Sequence, residues 1–256
     1  MLVAGAALAE GRGADGQFDQ RTSAHFVLYQ DVDIDATGGF SGSRRFEQAV
    51  LDELERAYDR LGTWLGLRPE RRIEVVIYDP SVFDQQFRGL FRFSAAGFYH
   101  GVIRIRGGTQ LTVNLSSVLH HELVHAAFDA AAPSLVIPGW VNEGSAEWFE
   151  ARARGVRGLS VGQRAFLTDV ARRGALHRLV VLNTQAFGGF GADAARLAYL
   201  QSHALIDYLV RRHGERKLGQ FYDQLFRSRN LDRALGRTFR FDSADLEARF
   251  VEELRQ

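Results

Sequence analysis

The chain has 256 residues, 46% of them hydrophobic, enough to bury a substantial core as one compact unit or two packed lobes. Its 32 basic residues are met by 31 acidic ones, a formal charge of +1, which excludes the strong positive field of a nucleic-acid or anionic-membrane binder. It contains no cysteine, so disulfides, thiolate nucleophiles and thiolate-held metals are excluded, and any metal chemistry falls to histidine and carboxylate.

Residues 1–23 read as a tail. Met1–Ala9 is apolar and ends Ala7-Leu8-Ala9, a small-residue pattern compatible with signal cleavage, and glycine-rich sequence follows to Gly16. The tail is either a signal remnant, which would favour an exported or periplasmic protein over a cytoplasmic one, or a disordered segment. No apolar stretch approaches the roughly 18 residues a bilayer span needs.

Residues 24–115 mix strand and helix. Ala24–Gln30 alternates as a strand, Arg44–Leu65 repeats apolar residues at helical spacing (Phe46, Val50, Leu54, Ala57, Leu61, Leu65), and Gly66 with Pro69 stops that helix. Ile73–Tyr78 is a β-branched run, and Val82–Phe87 fits a short helix. Phe98–Arg106 and Leu111–Leu115 are expected as a hairpin turning at Gly107-Gly108. Residues 116–256 carry helical periodicity over 117–131, 141–154, 161–172, 197–212, 215–226 and 243–254, with a loop over 183–191. The expected class is α+β: a small mixed α/β N-terminal lobe containing an antiparallel hairpin, followed by a mostly helical lobe.

The chemistry concentrates at His121-Glu122-Leu123-Val124-His125 and, 18 positions after His125, at Glu143 in Asn142-Glu143-Gly144-Ser145-Ala146-Glu147. Residues i and i+4 of a helix stand about 40° apart around the axis and one turn apart along it, so His121 and His125 can share one metal ion. Glu122 lies beside them and can take a proton from a water at that ion. Glu143 would be the third ligand, since catalytic zinc takes three protein ligands and leaves a fourth position open; alternatively it is a first-turn carboxylate favoured by the helix macrodipole. Glu147, one turn after Glu143, could accept a hydrogen bond from a ligating histidine or stand in solvent. Asp129 continues the histidine face but fits an exposed position better. His100, His120, His177 and His213 lack a spacing partner and fit structural or exposed roles.

His121, Glu122, His125, Asn142, Glu143 and Glu147 together resemble the gluzincin metallopeptidases, the thermolysin and aminopeptidase N superfamily, and in particular the peptidase MA-like family. The resemblance implies a zincin-like fold and one Zn2+ per chain held by His121, His125 and Glu143, with Glu122 as general base and Glu147 and Asn142 around the ligands. Gluzincins also use a tyrosine or histidine from a later helix to stabilise the oxyanion. Tyr199 matches that position, with His203 one turn on, and a phenol can donate without titrating near neutral pH.

By the same resemblance an aminopeptidase would anchor the substrate amine with a carboxylate ahead of the zinc helix. No acidic residue occurs between Asp84 and Glu122, while Arg104 and Arg106 do. An endopeptidase, or an enzyme preferring acidic or C-terminal carboxylate groups, is therefore expected, with Phe98–Arg106 as an edge able to pair with an extended peptide. The expected partner is a peptide or protein substrate, with no nucleic acid; the oligomeric state is left open. The rival readings are a non-catalytic zinc-binding interaction module and a zinc hydrolase acting on a non-peptide bond.

Overall fold

The computed structural model describes residues 18–32, 34, 42–88 and 96–256. The stretch Met1–Ala9, with its cleavage-like pattern, lies outside the described residues. Two compact units divide the chain: one runs to Tyr58 and resumes over Pro69–Ala126, and the other comprises Asp59–Arg68 and Ala127–Gln256.

The first unit is built on a five-stranded sheet of order β1-β2-β3-β5-β4, formed by β1 (Asp19–Thr22), β2 (Phe26–Asp31), β3 (Ile73–Tyr78), β4 (Gly97–Tyr99) and β5 (Ile103–Arg106). β2, β3 and β5 run parallel, and β1 and β4 close the two edges antiparallel. The parallel β2–β3 pair needs a crossover, which α1 (Gly42–Trp64) supplies. Register explains the burial: Leu28 pairs with Val75, Val75 with Ile103 and Ile77 with Ile105, and all are fully buried. On the opposite face Val76 and Tyr78 sit in a cluster with Phe83, against which Phe87 and Phe98 pack. Every apolar residue read as the inward stripe of α1, from Phe46 to Leu65, is buried. α2 (Pro80–Gln86) begins where the Asp79 carboxylate accepts from the Ser81 N–H at 2.8 Å, with proline in the first turn.

The α+β class holds, but the sheet differs from expectation in two places. β1 is a strand within the stretch read as a tail. The hairpin forms between β4 and β5, turning through Gly101 at φ +70°, and Leu111–Leu115 is no strand. There, Thr112 accepts the Leu115 N–H on Oγ1 at 3.1 Å and the Ser116 N–H on its carbonyl at 2.9 Å, which starts α3 (Val113–Ala131). A helix cap has overridden the β propensity of a short apolar run. The Phe98–Arg106 edge is accordingly corrected: β5 is interior, and in this part of the chain it is the three-residue strand β4 that lies at a sheet edge.

The second unit is helical, with α4 (Gly139–Ala153), α5 (Val161–Arg172), the single turn α6 (Leu179–Leu182), α7 (Ala192–His213), α8 (Glu215–Ser228), α9 (Leu231–Phe239) and α10 (Ser243–Arg255). α9 was not expected. Asn230 caps it by accepting the Arg233 N–H at 2.8 Å, and Ala234, Leu235 and Phe239 are buried. α4 and α7 cross with no room for a side chain between them, because a Cβ on Gly144 would stand 2.7 Å from the carbonyl carbon of Ser202. No helix among the described residues is long and apolar enough to cross a membrane.

Candidate metal centre

α3 earns its burial through Leu115, Leu119, Leu123, Val124, Ala126, Ala127 and Phe128. His121 and His125, four residues apart on this helix, are half-buried, with ring centroids 5.0 Å apart and ring planes at 73°. Glu122, between them in sequence, is buried at 6% exposure.

Glu143 comes from α4 and is also buried. That helix opens at Gly139, two residues earlier than its periodicity suggested, with the Gly139 N–H donating to the Thr184 carbonyl at 2.8 Å. A Cβ on Gly139 would stand 2.5 Å from that carbonyl oxygen, so the start of α4 depends on glycine. The early start moves Glu143 beyond the first helical turn, where a macrodipole no longer accounts for a carboxylate. Behind Glu143, Ser145 Oγ donates to the Val141 carbonyl and meets the hydroxyl of fully buried Tyr222 at 2.7 Å, fastening α4 to α8. Burial raises the pKa of the Tyr222 phenol well above its ordinary value, so it stays a neutral donor.

One nitrogen from each of His121 and His125 and one oxygen of Glu143 lie within 4.8 Å of one another. Ligands held about 2.0–2.2 Å from a tetrahedral metal stand about 3.4 Å apart, so the group needs only a small contraction to close on an ion. Two borderline nitrogens and one carboxylate oxygen form a donor set that suits zinc. His121, Glu147 and Glu150 form a second group within the same spacing. Glu150 was not singled out from the sequence, although 143, 147 and 150 follow the i, i+4, i+7 stripe that could have revealed it. Asn142 is half-buried on α4, and Asp129 is exposed.

Tyr199 is half-buried on α7 with its ring edge-on to buried Phe187, centroids 5.3 Å apart. His203, one turn on, is buried, and its Nε2 has no hydrogen-bond partner among the described residues. Burial depresses its pKa, against the opposing pull of the Asp207 and Glu150 charges. Of the remaining histidines, His100 and His213 are exposed, His177 Nε2 lies 3.0 Å from the Ala194 carbonyl, and His120 is buried with Nε2 2.7 Å from Glu53 Oε1.

The two arginines ahead of the histidine motif are already engaged. Arg106 makes a bidentate pair with Asp84 at 2.8 and 2.9 Å, and Arg104 donates to the His100 and Val102 carbonyls while lying over the Phe98 ring. Arg106 is therefore already paired with a protein carboxylate, while Arg104 is engaged by backbone carbonyls and a ring.

A family model described as Peptidase MA superfamily matches residues 55–256, and no curated protein matches the chain.

Proposed function

Because the chain belongs to the Peptidase MA superfamily, we propose that it is a zinc-dependent metallopeptidase, an endopeptidase by preference, with His121, His125 and Glu143 holding one Zn2+. The observation that carries this reading is the convergence of two imidazoles and one buried carboxylate within 4.8 Å. The proximity of Glu147 and Glu150 to His121 supports a role for them in orienting that ligand through its other nitrogen. Asn142, next to Glu143 in sequence, is the further residue we assign to the surroundings of the same ligand set.

When bound, zinc would polarise the scissile carbonyl and acidify the attacking water. The chain's own groups handle the proton. Glu122, buried between the two histidines in sequence, accepts the proton as the water oxygen attacks the carbonyl carbon. It then delivers that proton to the departing nitrogen as the C–N bond breaks, so no covalent intermediate is needed. Tyr199 donates a hydrogen bond to the oxygen that gains charge. The endopeptidase preference rests on the absence of any carboxylate between Asp84 and Glu122 to anchor a free amino terminus.

The test is digestion of a peptide library read by mass spectrometry, with metal content measured on the same protein. Wild type should carry one zinc and cleave internal bonds. Glu122→Gln should keep the zinc and lose cleavage about 10²–10⁴-fold, and His121→Ala should lose the zinc. Wild type that binds zinc but cleaves nothing would favour a non-catalytic module; hydrolysis confined to non-peptide bonds would favour the other rival.

A further inference from the structure

Glu53, on the face of α1 near the histidine helix, does something the family motif does not specify. Its Oε1 accepts from Ser116 Oγ at 2.9 Å and stands 2.7 Å from His120 Nε2, while its Oε2 accepts from Arg56 Nη2 at 2.6 Å. Ser116 and His120 are four residues apart and so form one stripe of α3. His121 and His125 form the adjacent stripe, about 100° around the same axis. One carboxylate oxygen thus meets two successive turns of the helix that carries both imidazoles, accepting a hydrogen bond at Ser116 and standing in close polar contact, outside hydrogen-bond geometry, with His120. The carboxylate is itself held by Arg56, and it is largely buried, with a side-chain exposure of 14%.

We propose that Glu53 is a positioning residue that fixes the roll of α3 about its axis and thereby aims His121 and His125 at a common point. The inference rests on the metal-site reading above. The physical need is one of tolerance. A ligating nitrogen stands about 6 Å from the helix axis, so a roll of 10° displaces it by about 1 Å. Metal–ligand distances are held to about ±0.2 Å, which corresponds to a roll of about 2°. Apolar contacts along Leu119 and Leu123 are non-directional and resist separation more than small rotations. A directional acceptor on the flank of the helix supplies the missing constraint.

Zn2+ affinity of the full chain, measured by competition with a chromogenic chelator, tests this alongside kcat and KM on a peptide cleaved by wild type. Glu53→Leu keeps the apolar volume and removes the acceptor. It should weaken zinc binding about 10-fold and lower kcat with KM nearly unchanged, the lower end of effects seen for groups that orient metal ligands. Glu53→Gln retains an acceptor oxygen and should stay within about 3-fold of wild type. Should Glu53→Leu fail to fold, Ser116→Ala, which removes the hydrogen bond from α3 to Glu53, takes its place with an expected loss of about 3-fold. Unchanged zinc affinity in the folded variants, whatever happens to their thermal stability, would overturn the inference by reducing Glu53 to a structural role. Equal loss in Glu53→Gln and Glu53→Leu would also overturn it, by assigning the effect to charge. Wild type that binds no zinc would instead bring down the metal-site reading itself.

Discussion

Gly144→Ala adds a single methyl group at the crossing of α4 and α7, one residue beyond Glu143. The new Cβ would press against the Ser202 carbonyl oxygen, 2.7 Å from its carbonyl carbon and 3.0 Å from Ile206 Cγ1. Carbon atoms in ordinary contact stand about 3.5–4.0 Å apart, so the shortfall is about 1 Å. The methyl is fixed directly to the α4 backbone and the Ser202 carbonyl is itself backbone, so no rotamer change relieves the clash; one helix must move. Overpacking of this kind costs about 1–3 kcal/mol, and the better helix propensity of alanine returns at most about 1 kcal/mol. A net loss of about 1–2 kcal/mol corresponds to a fall in Tm of about 2–8 °C for a chain of this size. Gly62→Ala is the control, because the nearest group to its Cβ would be the Arg68 guanidinium, at 2.6 Å from Cζ, and exposed Arg68 can swing aside. That substitution should be neutral or stabilise by up to about 1 kcal/mol through helix propensity alone. Urea unfolding of the pair, compared at equal m, decides the matter. A Gly144→Ala variant as stable as wild type, or equal shifts in both variants, would refute the backbone clash.

The Ser145–Tyr222 contact should respond unequally to its two truncations. Tyr222→Phe leaves Ser145 its Val141 acceptor and should cost about 1 kcal/mol, whereas Ser145→Ala strands a fully buried phenol and should cost about 1–3 kcal/mol; urea midpoints would show the order. His203, with a folded-state pKa below its unfolded value of about 6.5, makes no demand above that pH, but as pH falls through it the unfolded chain binds a proton the folded chain resists. Stability should therefore decline as pH falls below about 6.5, and His203→Gln should flatten that slope in pH-dependent unfolding curves. The lowered pKa values of Glu55 and Glu253 act in a separate window: burial raises them, but hydrogen bonds from His25 and from Arg211 and Arg212 outweigh it, so their stabilisation is present above about pH 4.5 and lost below it. Dialysis against a chelator should abolish peptide hydrolysis, and stoichiometric Zn2+ should restore it; activity that survives complete metal removal would contradict the proposed chemistry.

Long-period features were legible in the sequence because they depend on residues close together in the chain. The inward stripe of α1, the run of helices after residue 116 and the His121, Glu122, His125 motif all follow from 3.6-residue spacing, and the α+β class follows from their order. Short elements were less legible, since a few residues carry too little periodicity to outvote a local cap: Thr112 turned an expected strand into the start of α3, and Asn230 began a helix where none was read. Glu143 as a third ligand was suggested by its place after the histidine motif and by family resemblance, but the burial that separates it from a macrodipole-favoured surface glutamate depends on where α4 begins. Tertiary structure alone decided the parallel order of β2, β3 and β5, the pairing of Arg106 with Asp84 and the use of Gly144 at a helix crossing. It also brought Glu53 to His120, 67 positions away along the chain. Spacing along one helix dictates which side chains share a face, while contacts between distant segments depend on how those faces meet in three dimensions, and no local pattern encodes that.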